Sequence, residues 1–214
     1  MKVIPVDKST CEEFVTKKHY SRKMSIFWKG FALVEDDMIT GVCLFGQPSA
    51  ELQKHAFKDR DFKFMELTRL VVQSKTKNAS SYLVSNALKQ LESCAVVSYA
   101  DTEMGHCGII YQATNWYYSG ATTSHDHLYL INGERVHPMT LRDKGITSPK
   151  NWAKENNIKT VKPSPKHRYF FFVGDKRQKR MMMNKLNYTI INEYPKCDQV
   201  RYDDGEEIKK FILV

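Results

Sequence analysis

Short β-rich runs, separated by few helical segments, constrain the fold of this chain most strongly. Four of these runs are rich in branched and aromatic residues: Ile26 to Val34, Met38 to Phe45, Phe64 to Val72 and Ala95 to Ala100. Only one pattern with helical spacing, Ser80 to Leu91, separates the last two runs. The order is not a series of βαβ units, so the sequence predicts the α+β class, with a central mixed sheet flanked by helices.

The remaining elements complete one domain, residues 1–214. The patterns predict a strand Lys2–Val6, helices Cys11–Lys18 and Ile109–Ser119, a hairpin His127–His137, a strand Tyr169–Val173 and a basic turn Lys176–Arg180. This order matches the layout of the GNAT acyltransferase fold. In that fold two neighbouring strands splay apart, and the cleft between them holds an acyl donor.

The loop Ser74–Ser80 lies where GNAT enzymes bind the pyrophosphate of the donor at a helix N-terminus. It lacks their glycine-rich pattern, which leaves coenzyme A binding open. Lys75, Lys77 and Ser80, which is also the predicted helix cap, are the candidate donor-binding residues. The donor is predicted only as an acyl or aminoacyl compound, with acetyl-CoA as one possibility.

Charge is concentrated in one region of the chain. The whole chain has 33 Lys and Arg against 24 Asp and Glu, and residues 135–180 alone contain 13 against 3. A region of one charge sign suits a polyanion, so this basic, loop-rich region is predicted to face double-stranded DNA. A solvated basic surface without a partner is the alternative. The candidate DNA-binding residues are Arg168, Lys176, Arg177, Lys179 and Arg180.

The cysteines and the apolar residues bear on the compartment. Five cysteines with no CxxC pair predict neither a disulfide framework nor a zinc knuckle, and favour a reducing cytosol. No apolar run approaches the roughly 20 residues of a membrane helix. The first ten residues lack the apolar segment of a secretory signal. We therefore expect a cytoplasmic protein.

The segment Ser98–Gly120 holds the densest group of residues able to hydrogen-bond or stack. Asp101 follows a buried strand, where ligands gather in α/β sheets, and His106 lies between Gly105 and Gly108. Both side chains are candidates for proton transfer or metal binding. Each is also typical of a residue that braces a loop, and both interpretations stay open.

Tyr111 and Asn115 are four residues apart and share a face if the helix is continuous. An asparagine can pair with an adenine edge and a tyrosine can stack on a base, so these two residues and Ser98 form a candidate base-binding group. A buried polar pair that braces the loop is the alternative.

Two further positions suggest chemistry. His19 and Tyr20, followed by two cations at the end of the first helix, suit a catalytic or phosphate-facing corner, or else a solvated helix end. Arg69 lies within a strand and needs a partner, whereas strict alternation places Glu66 on the other face of the sheet.

A metal site is left open. The triplet His125–His127 resembles a set of metal ligands, but adjacent residues of an extended chain point apart, so we interpret it as structural. A site for one metal ion, such as iron, from His19, Asp101 and His106 is possible, although no spacing demands it.

Several of these motifs resemble the Mom family of bacteriophage DNA-modification proteins. The resemblance covers most of the chain in order, and its longest motif is fairly specific. The motifs are His19-Tyr20-Ser21, Glu66-Leu67-Thr68-Arg69-Leu70, Ser98-Tyr99-Ala100-Asp101, Gly105-His106-x-Gly108-x-Ile110-Tyr111-Gln112-Ala113-x-Asn115-Trp116 and the basic, aromatic C-terminal region.

The resemblance implies a GNAT-like fold and an enzyme that converts adenine N6 of double-stranded DNA to its carbamoylmethyl form. This change masks phage DNA from host restriction, so the resemblance also implies a phage protein in the host cytoplasm. It places His19, Tyr20, Arg69 and Asp101 in or near the active site. The donor and any metal stay open.

The residues agree with that chemistry. Adenine N6 is a weak nucleophile, so an enzyme must extrude the base and help to remove a proton. Asp101 is the candidate for that proton, and Arg69 for balancing charge on the transferred group. Two other functions remain open: a GNAT acetyltransferase for a small amine or a protein, and a non-catalytic DNA-binding, anti-restriction protein.

Overall fold

A seven-stranded sheet forms the centre of the molecule. The computed structural model describes residues 1–123, 127–198 and 207–211. The strands are numbered in chain order. From one edge of the sheet to the other they are β1 (Lys2–Val6), β2 (Lys29–Glu35), β3 (Met38–Gly46), β4 (Lys63–Val72), β5 (Cys94–Asp101), β10 (Lys166–Val173) and β6 (Tyr117–Ala121).

The strands of this sheet pair antiparallel, except that β4 and β5 are parallel. The parallel pairing runs only from Lys63–Cys94 to Glu66–Val97. Beyond Glu66 the two strands separate, and the second half of β4 and the end of β5 border a cleft. A mixed sheet with one splayed pair of strands confirms the predicted α+β, GNAT-like fold.

A β-bulge in β4 changes which side chains share a face of the sheet. Leu67 and Arg69 pair with adjacent residues of β3, so Thr68 is the extra residue. Leu67 and Leu70 consequently pack into the same core cluster, although strict alternation separates them. The prediction that Glu66 and Arg69 lie on opposite faces is wrong, because the bulge places both on the face away from that cluster.

Helices cover both faces of the sheet. Phe14 of one helix and Met182 of another pack on the face that carries Arg69, and Leu83 of a third packs on the opposite face. In the part of the chain that the structure describes, no helix has the length and apolar character needed to span a bilayer. The helices are α1 (Lys8–Lys18), α2 (Ala50–His55), α3 (Ala79–Lys89), α4 (Ile109–Ala113), α5 (Pro138–Asp143), α6 (Pro149–Glu155) and α7 (Lys176–Lys185).

Residues 127–161, here called the insertion, form a small unit between β6 and β10. Its three strands, in the order β8-β7-β9, enclose a core with α5 and α6 around Tyr129, Leu141 and Ala153. The predicted hairpin is confirmed, but the prediction of a loop-rich region 135–180 is wrong, because these apolar residues supply a local core. The strands are β7 (Leu128–Ile131), β8 (Glu134–Val136) and β9 (Lys159–Val161).

Two local predictions also need correction. The predicted helix Ile109–Ser119 ends at Ala113, because Asn115 has a φ of 59° and the chain then enters β6. The predicted basic turn Lys176–Arg180 is the first half of α7, which begins at a capping box formed by Asp175.

The prediction that the chain forms no disulfide is wrong. Cys107, in the loop after β5, is bonded to Cys197, with 5.9 Å between their Cα atoms. Residues 187–198 cross the end of β6, where the Tyr194 hydroxyl donates to the Trp116 carbonyl at 2.7 Å. The cysteines meet because these contacts return the C-terminal segment to the loop, which the spacing of cysteines in the sequence does not reveal.

We expect Cys107→Ser to lower the free energy of unfolding by about 4–5 kcal/mol under oxidising conditions. The bonded residues are 90 positions apart, and a bridge across a loop of this length restricts the unfolded chain by about that amount. Urea unfolding with and without dithiothreitol measures the effect. Reduced wild type should match the variant. Equal unfolding midpoints for wild type with and without reductant would show that the bond does not form.

Candidate active site

A cavity of about 160 Å³ opens where β4 and β5 splay apart. Its walls come from the second half of β4, the end of β5, the end of α1 and the beginning of α4. Four residues that the sequence predicts to be catalytic line this cavity: His19, Tyr20, Arg69 and His106. Residues that are far apart in the chain therefore meet at the splayed end of the sheet.

His19 closes the end of α1 as a buried, neutral imidazole. Its side chain is 8% exposed, and the Ser21 backbone N–H donates to Nδ1 at 3.1 Å. With Nδ1 as acceptor, the proton of the neutral ring is on Nε2. Burial, followed by the charges of Arg69, His106 and Lys166, lowers the pKa of His19 to about 3. The ring is therefore uncharged at neutral pH.

Tyr20 lies between two imidazoles. Its ring centroid is 4.3 Å from that of His19 and 6.3 Å from that of His106. Burial raises the pKa of the Tyr20 hydroxyl, which therefore keeps its proton and can donate a hydrogen bond. Burial also lowers the pKa of His106, against the smaller opposing effect of Asp101. The three rings form one largely neutral wall of the cavity.

Arg69 supplies a fixed positive charge to the opposite wall. Its Nε donates to the Lys23 carbonyl at 2.9 Å, and its Nη1 donates to the Thr68 carbonyl at 2.7 Å. Burial lowers the pKa of Arg69, while Tyr20 and Glu66 raise it. No carboxylate within the described ranges forms an ion pair with Arg69, so its charge remains available to a bound group.

Asp101 lies behind the cavity wall and holds the loop after β5. Its Oδ1 accepts the Glu103 backbone N–H at 3.0 Å, and its Oδ2 is 3.0 Å from Lys166 Nζ. The Asp101 carbonyl accepts the His106 backbone N–H at 3.0 Å. Both carboxylate oxygens are occupied, which is the loop-bracing role that the sequence left open. Asp101 thereby positions His106.

Glu66, which directly precedes the first residue of β4 that lines the cavity, is a functional candidate that sequence reasoning missed. It is half-buried at the last parallel pair before the strands separate. Burial raises the pKa of Glu66 to about 7, and Arg69 and Lys166 oppose that shift. The carboxyl of Glu66 can therefore gain or lose a proton at neutral pH. Strict alternation of side chains along β4 does not reveal that Glu66 is close to Arg69, because the bulge at Thr68 breaks that alternation.

A profile of the Mom protein family matches residues 1–195. The chain belongs to the Mom family. No relative was found among curated protein sequences.

Acetyltransferases are among the solved structures that resemble this Mom-family protein. A GNAT-family acetyltransferase from Bacillus cereus is 9% identical, with a TM-score of 0.44, and the match covers 81% of this chain and 98% of that one. A putative acetyltransferase from Salmonella typhimurium, solved with acetyl-CoA, is 9% identical, with a TM-score of 0.45 and 82% and 95% covered. Spermidine N-acetyltransferase from Vibrio cholerae is 9% identical, with a TM-score of 0.45 and 80% and 95% covered.

The predicted base-binding residues of this Mom-family protein do not act as one group. Tyr111 lines the cavity, but its ring packs 5.1 Å from Trp116, and its hydroxyl bonds to Ser98 Oγ at 2.7 Å. Ser98 Oγ also bonds to the Leu67 carbonyl at 2.8 Å. Asn115 lies outside the cavity wall, because α4 ends before it. Tyr111 and Ser98 therefore brace the point where the strands separate.

The predicted donor-binding residues lie around the first turn of α3. Lys75 and Lys77 are exposed and Ser80 is half-buried, while the cavity extends to Gln73 at the beginning of this loop. The prediction that Ser80 caps the helix is wrong. The N-cap is Asn78, whose φ of 62° is left-handed and whose side chain makes no capping hydrogen bond. The first turn of α3 therefore has no side-chain cap of its own.

The predicted DNA-binding residues fall into two places. Arg168 lies on β10 near the cavity, but Lys176, Arg177, Lys179 and Arg180 are exposed on α7, which follows the other end of β10 and packs back along the strand through Met182. The insertion contacts the site instead, since Arg135 forms an ion pair with Glu103, and Lys23 Nζ donates to Thr140 Oγ1 at 3.4 Å.

A metal ion stays a prediction. Within residues 1–123, 127–198 and 207–211, no group of three or more His, Cys, Asp or Glu side chains is arranged to hold one. The triplet His125–His127 lies partly outside the described residues, since 125 and 126 are not among them.

Because His19 is buried without charge, we expect the protein to lose stability as the pH falls from 6.5 towards 3. In that window the unfolded state binds the proton and the folded state does not, which costs about 1.4 kcal/mol per pH unit. His19→Gln should remove this slope, whereas His55→Gln, at an exposed position, should keep it. Urea unfolding at pH 7, 6 and 5 measures it. Parallel pH dependences for wild type and His19→Gln would contradict the assignment.

Proposed function

We propose that this protein transfers a carbamoylmethyl group, derived from an acyl or aminoacyl donor, to N6 of adenine in double-stranded DNA. The observation that carries the proposal is the convergence of His19, Tyr20, Arg69 and His106 on one cavity at the splayed strands of a Mom-family chain. The proposed setting is the cytoplasm of a phage host, where the modification protects phage DNA from restriction. This setting rests on the family and not on the cysteines, because the Cys107–Cys197 bond removes that argument.

The charge of the site favours a polyanionic substrate over a small cationic amine. Arg69 carries an unpaired charge, His19 is neutral, and the carboxylate of Asp101 is matched by Lys166. Burial also reduces the charge of Glu66 at neutral pH. A cationic amine would meet net repulsion here, whereas a nucleic acid backbone would be attracted.

The cavity suits a base that has left the stack. Chemistry on adenine N6 requires extrusion from the duplex or access to a single strand. The rings of Tyr20, His106 and Tyr99 line the cavity and offer faces on which a base can stack. In this proposal they hold the base, in place of the pair Tyr111 and Asn115.

Two side chains carry the proposed chemistry. Glu66 accepts the proton that N6 loses as N6 bonds to the donor carbon, while the bond from that carbon to the donor's leaving group breaks and the leaving group departs with its electron pair. The pKa of Glu66, about 7, suits this role at neutral pH. Arg69 stabilises negative charge that develops on the transferred group. Asp101 is assigned to positioning, because Lys166 and the Glu103 N–H already occupy its oxygens.

The residues of the loop Ser74–Ser80 fit a donor that carries an anionic group. The first turn of α3 has no side-chain cap, and Lys75 and Lys77 lie beside it in solvent. Backbone N–H groups at a helix N-terminus and two ammonium groups are suited to hold a phosphate or carboxylate. The donor supplies the electrophilic carbon when bound; acetyl-CoA itself would place an acetyl group on N6, so a carbamoylmethyl product needs a donor that also carries the amide nitrogen.

The duplex is proposed to lie across the insertion and along β10. The contacts of the insertion with Glu103 and Lys23 hold its basic surface beside the site. The exposed cations of α7, which packs along β10, would touch the backbone further along the duplex. Binding of this kind depends little on sequence and weakens steeply with salt.

Plasmid DNA from cells that express the protein provides the test. Digestion to nucleosides followed by mass spectrometry should reveal a heavier deoxyadenosine. Unmodified plasmid together with acetylated amines would favour the small-amine acetyltransferase instead. DNA binding in gel shifts with no modified product would favour a non-catalytic anti-restriction protein.

A further inference from the structure

Arg168 is held rigidly by neutral partners. Its Nε donates to Ser119 Oγ at 3.0 Å, and its Nη2 donates to the Ser119 carbonyl at 3.3 Å. The guanidinium carbon lies 3.6 Å from the centroid of the Tyr188 ring. That ring is itself stacked on Phe170, with centroids 5.6 Å apart. The guanidinium is therefore fixed in plane and position before any ligand arrives.

No internal anion neutralises Arg168. In the described part of the chain no carboxylate lies within ion-pair distance of it, and its Nη1 has no hydrogen-bond partner there. The neighbouring cations differ in this respect, since Lys166 is paired with Asp101 and Arg135 with Glu103. A half-buried, preorganised guanidinium without a carboxylate is suited to bind an external oxyanion, above all a phosphate.

The register of the sheet places Arg168 beside the cavity. Arg168 pairs with Tyr99 of β5, and Lys166 pairs with Asp101, on the same face of the sheet. Tyr99 lines the cavity. Neighbouring strands are about 4.8 Å apart, and the guanidinium reaches from β10 to Ser119 of β6, so it lies about 5–10 Å beyond the cavity wall. The sugar and phosphate of a nucleotide whose base enters the cavity would extend towards it.

We propose that Arg168 binds the phosphate of the nucleotide whose base enters the cavity. The inference rests on the proposed function and adds a phosphodiester subsite to it. Tyr188 and Ser119 set the orientation of the guanidinium, and Arg168 fixes the sugar–phosphate relative to Arg69 and Glu66. Its role differs from that of the cations of α7, which are exposed on the protein surface.

Binding of deoxyadenosine and of its 5′- and 3′-monophosphates, followed by protein-observed NMR, tests the proposal. Wild type should bind at least one monophosphate about tenfold more tightly than the nucleoside, as one charge-assisted contact provides. Arg168→Gln should lose this preference and keep nucleoside binding. Arg60→Gln, which removes an exposed charge just before β4 at the end opposite the cavity, should keep the preference.

Arg168→Met serves as a second neutral variant, because its long side chain can still pack on Tyr188 if Arg168→Gln does not fold. An unchanged preference in a folded neutral variant, or no preference in wild type, would overturn the subsite. If neither the nucleoside nor a nucleotide binds, titration with inorganic phosphate distinguishes a failure of the base cavity from a failure of the Arg168 subsite. Phosphate binding that Arg168→Gln abolishes would retain the subsite and reject the base cavity, whereas no phosphate binding would reject both.

Discussion

Glu66→Gln is expected to lower the rate of adenine modification by about 10²–10⁴-fold, the usual contribution of a positioned proton acceptor. Glutamine keeps the shape of the side chain but cannot take the proton from N6. In wild type, kcat/KM should rise as the pH increases through about 7, because the carboxyl of Glu66 becomes a base only after it ionises. The variant should show a flat profile in this range. Single-site duplexes assayed between pH 5.5 and 8.5 measure both effects.

The same carboxyl leads to a stability effect that is independent of activity. Its pKa of about 7 in the folded state exceeds that of an ordinary glutamate, so the folded state holds the proton where the unfolded state has released it. Stability from this group therefore falls as the pH rises from about 4.5 to 7. Glu66→Gln should remove that fall.

Asp101→Asn is the matched control for Glu66→Gln. It should slow modification by loosening the loop of His106, yet keep the rise of kcat/KM through pH 7. If instead Asp101→Asn abolishes the pH dependence and Glu66→Gln retains it, Asp101 is the proton acceptor, as the sequence suggested.

Arg69→Gln is expected to reduce kcat by about 10²–10³-fold with a small effect on KM. This is the loss typical of removing one preorganised donor from developing charge. Arg69→Lys should recover only part of the rate, because a lysine cannot reach the Lys23 and Thr68 carbonyls with the same fork of donors. Single-turnover assays at saturating DNA isolate this step.

Arg60→Gln controls for loss of one positive charge. Arg60 stands just before β4, at the end opposite the cavity, and lies over the Phe64 ring at 5.6 Å. It should leave kcat unchanged. A large rise in KM with an unaltered kcat for Arg69→Gln would assign Arg69 to DNA binding and not to the chemical step.

Much of the sheet could be predicted because its strands follow hydrophobic patterning. The runs that became β2, β3, β4 and β5 are recognisable from branched and aromatic residues, and the acidic turn between the first two defines their hairpin. Patterning did not reveal the end of α4, because a single left-handed residue, Asn115, stops that helix. The insertion was predicted to be loop-rich because its apolar core is small and its surface is basic.

The sequence predicts the site residues whose location follows from the end of a strand. It does not predict those whose location depends on the register of a strand. Asp101 and His106 follow a strand end, so their proximity to a site could be expected from topology. Glu66 was missed because the bulge at Thr68 moves it to the face of Arg69. The Cys107–Cys197 bond depends on the path of the C-terminal segment, which no local pattern encodes.

Tandem mass spectrometry of deoxyadenosine from plasmid DNA tests the central claim most directly. Plasmid from cells expressing wild type should contain a deoxyadenosine whose added mass stays on the adenine fragment and localises to N6. Plasmid from cells expressing Arg69→Gln at the same level should contain little or none. Only unmodified deoxyadenosine in the presence of abundant, folded wild-type protein would contradict the account.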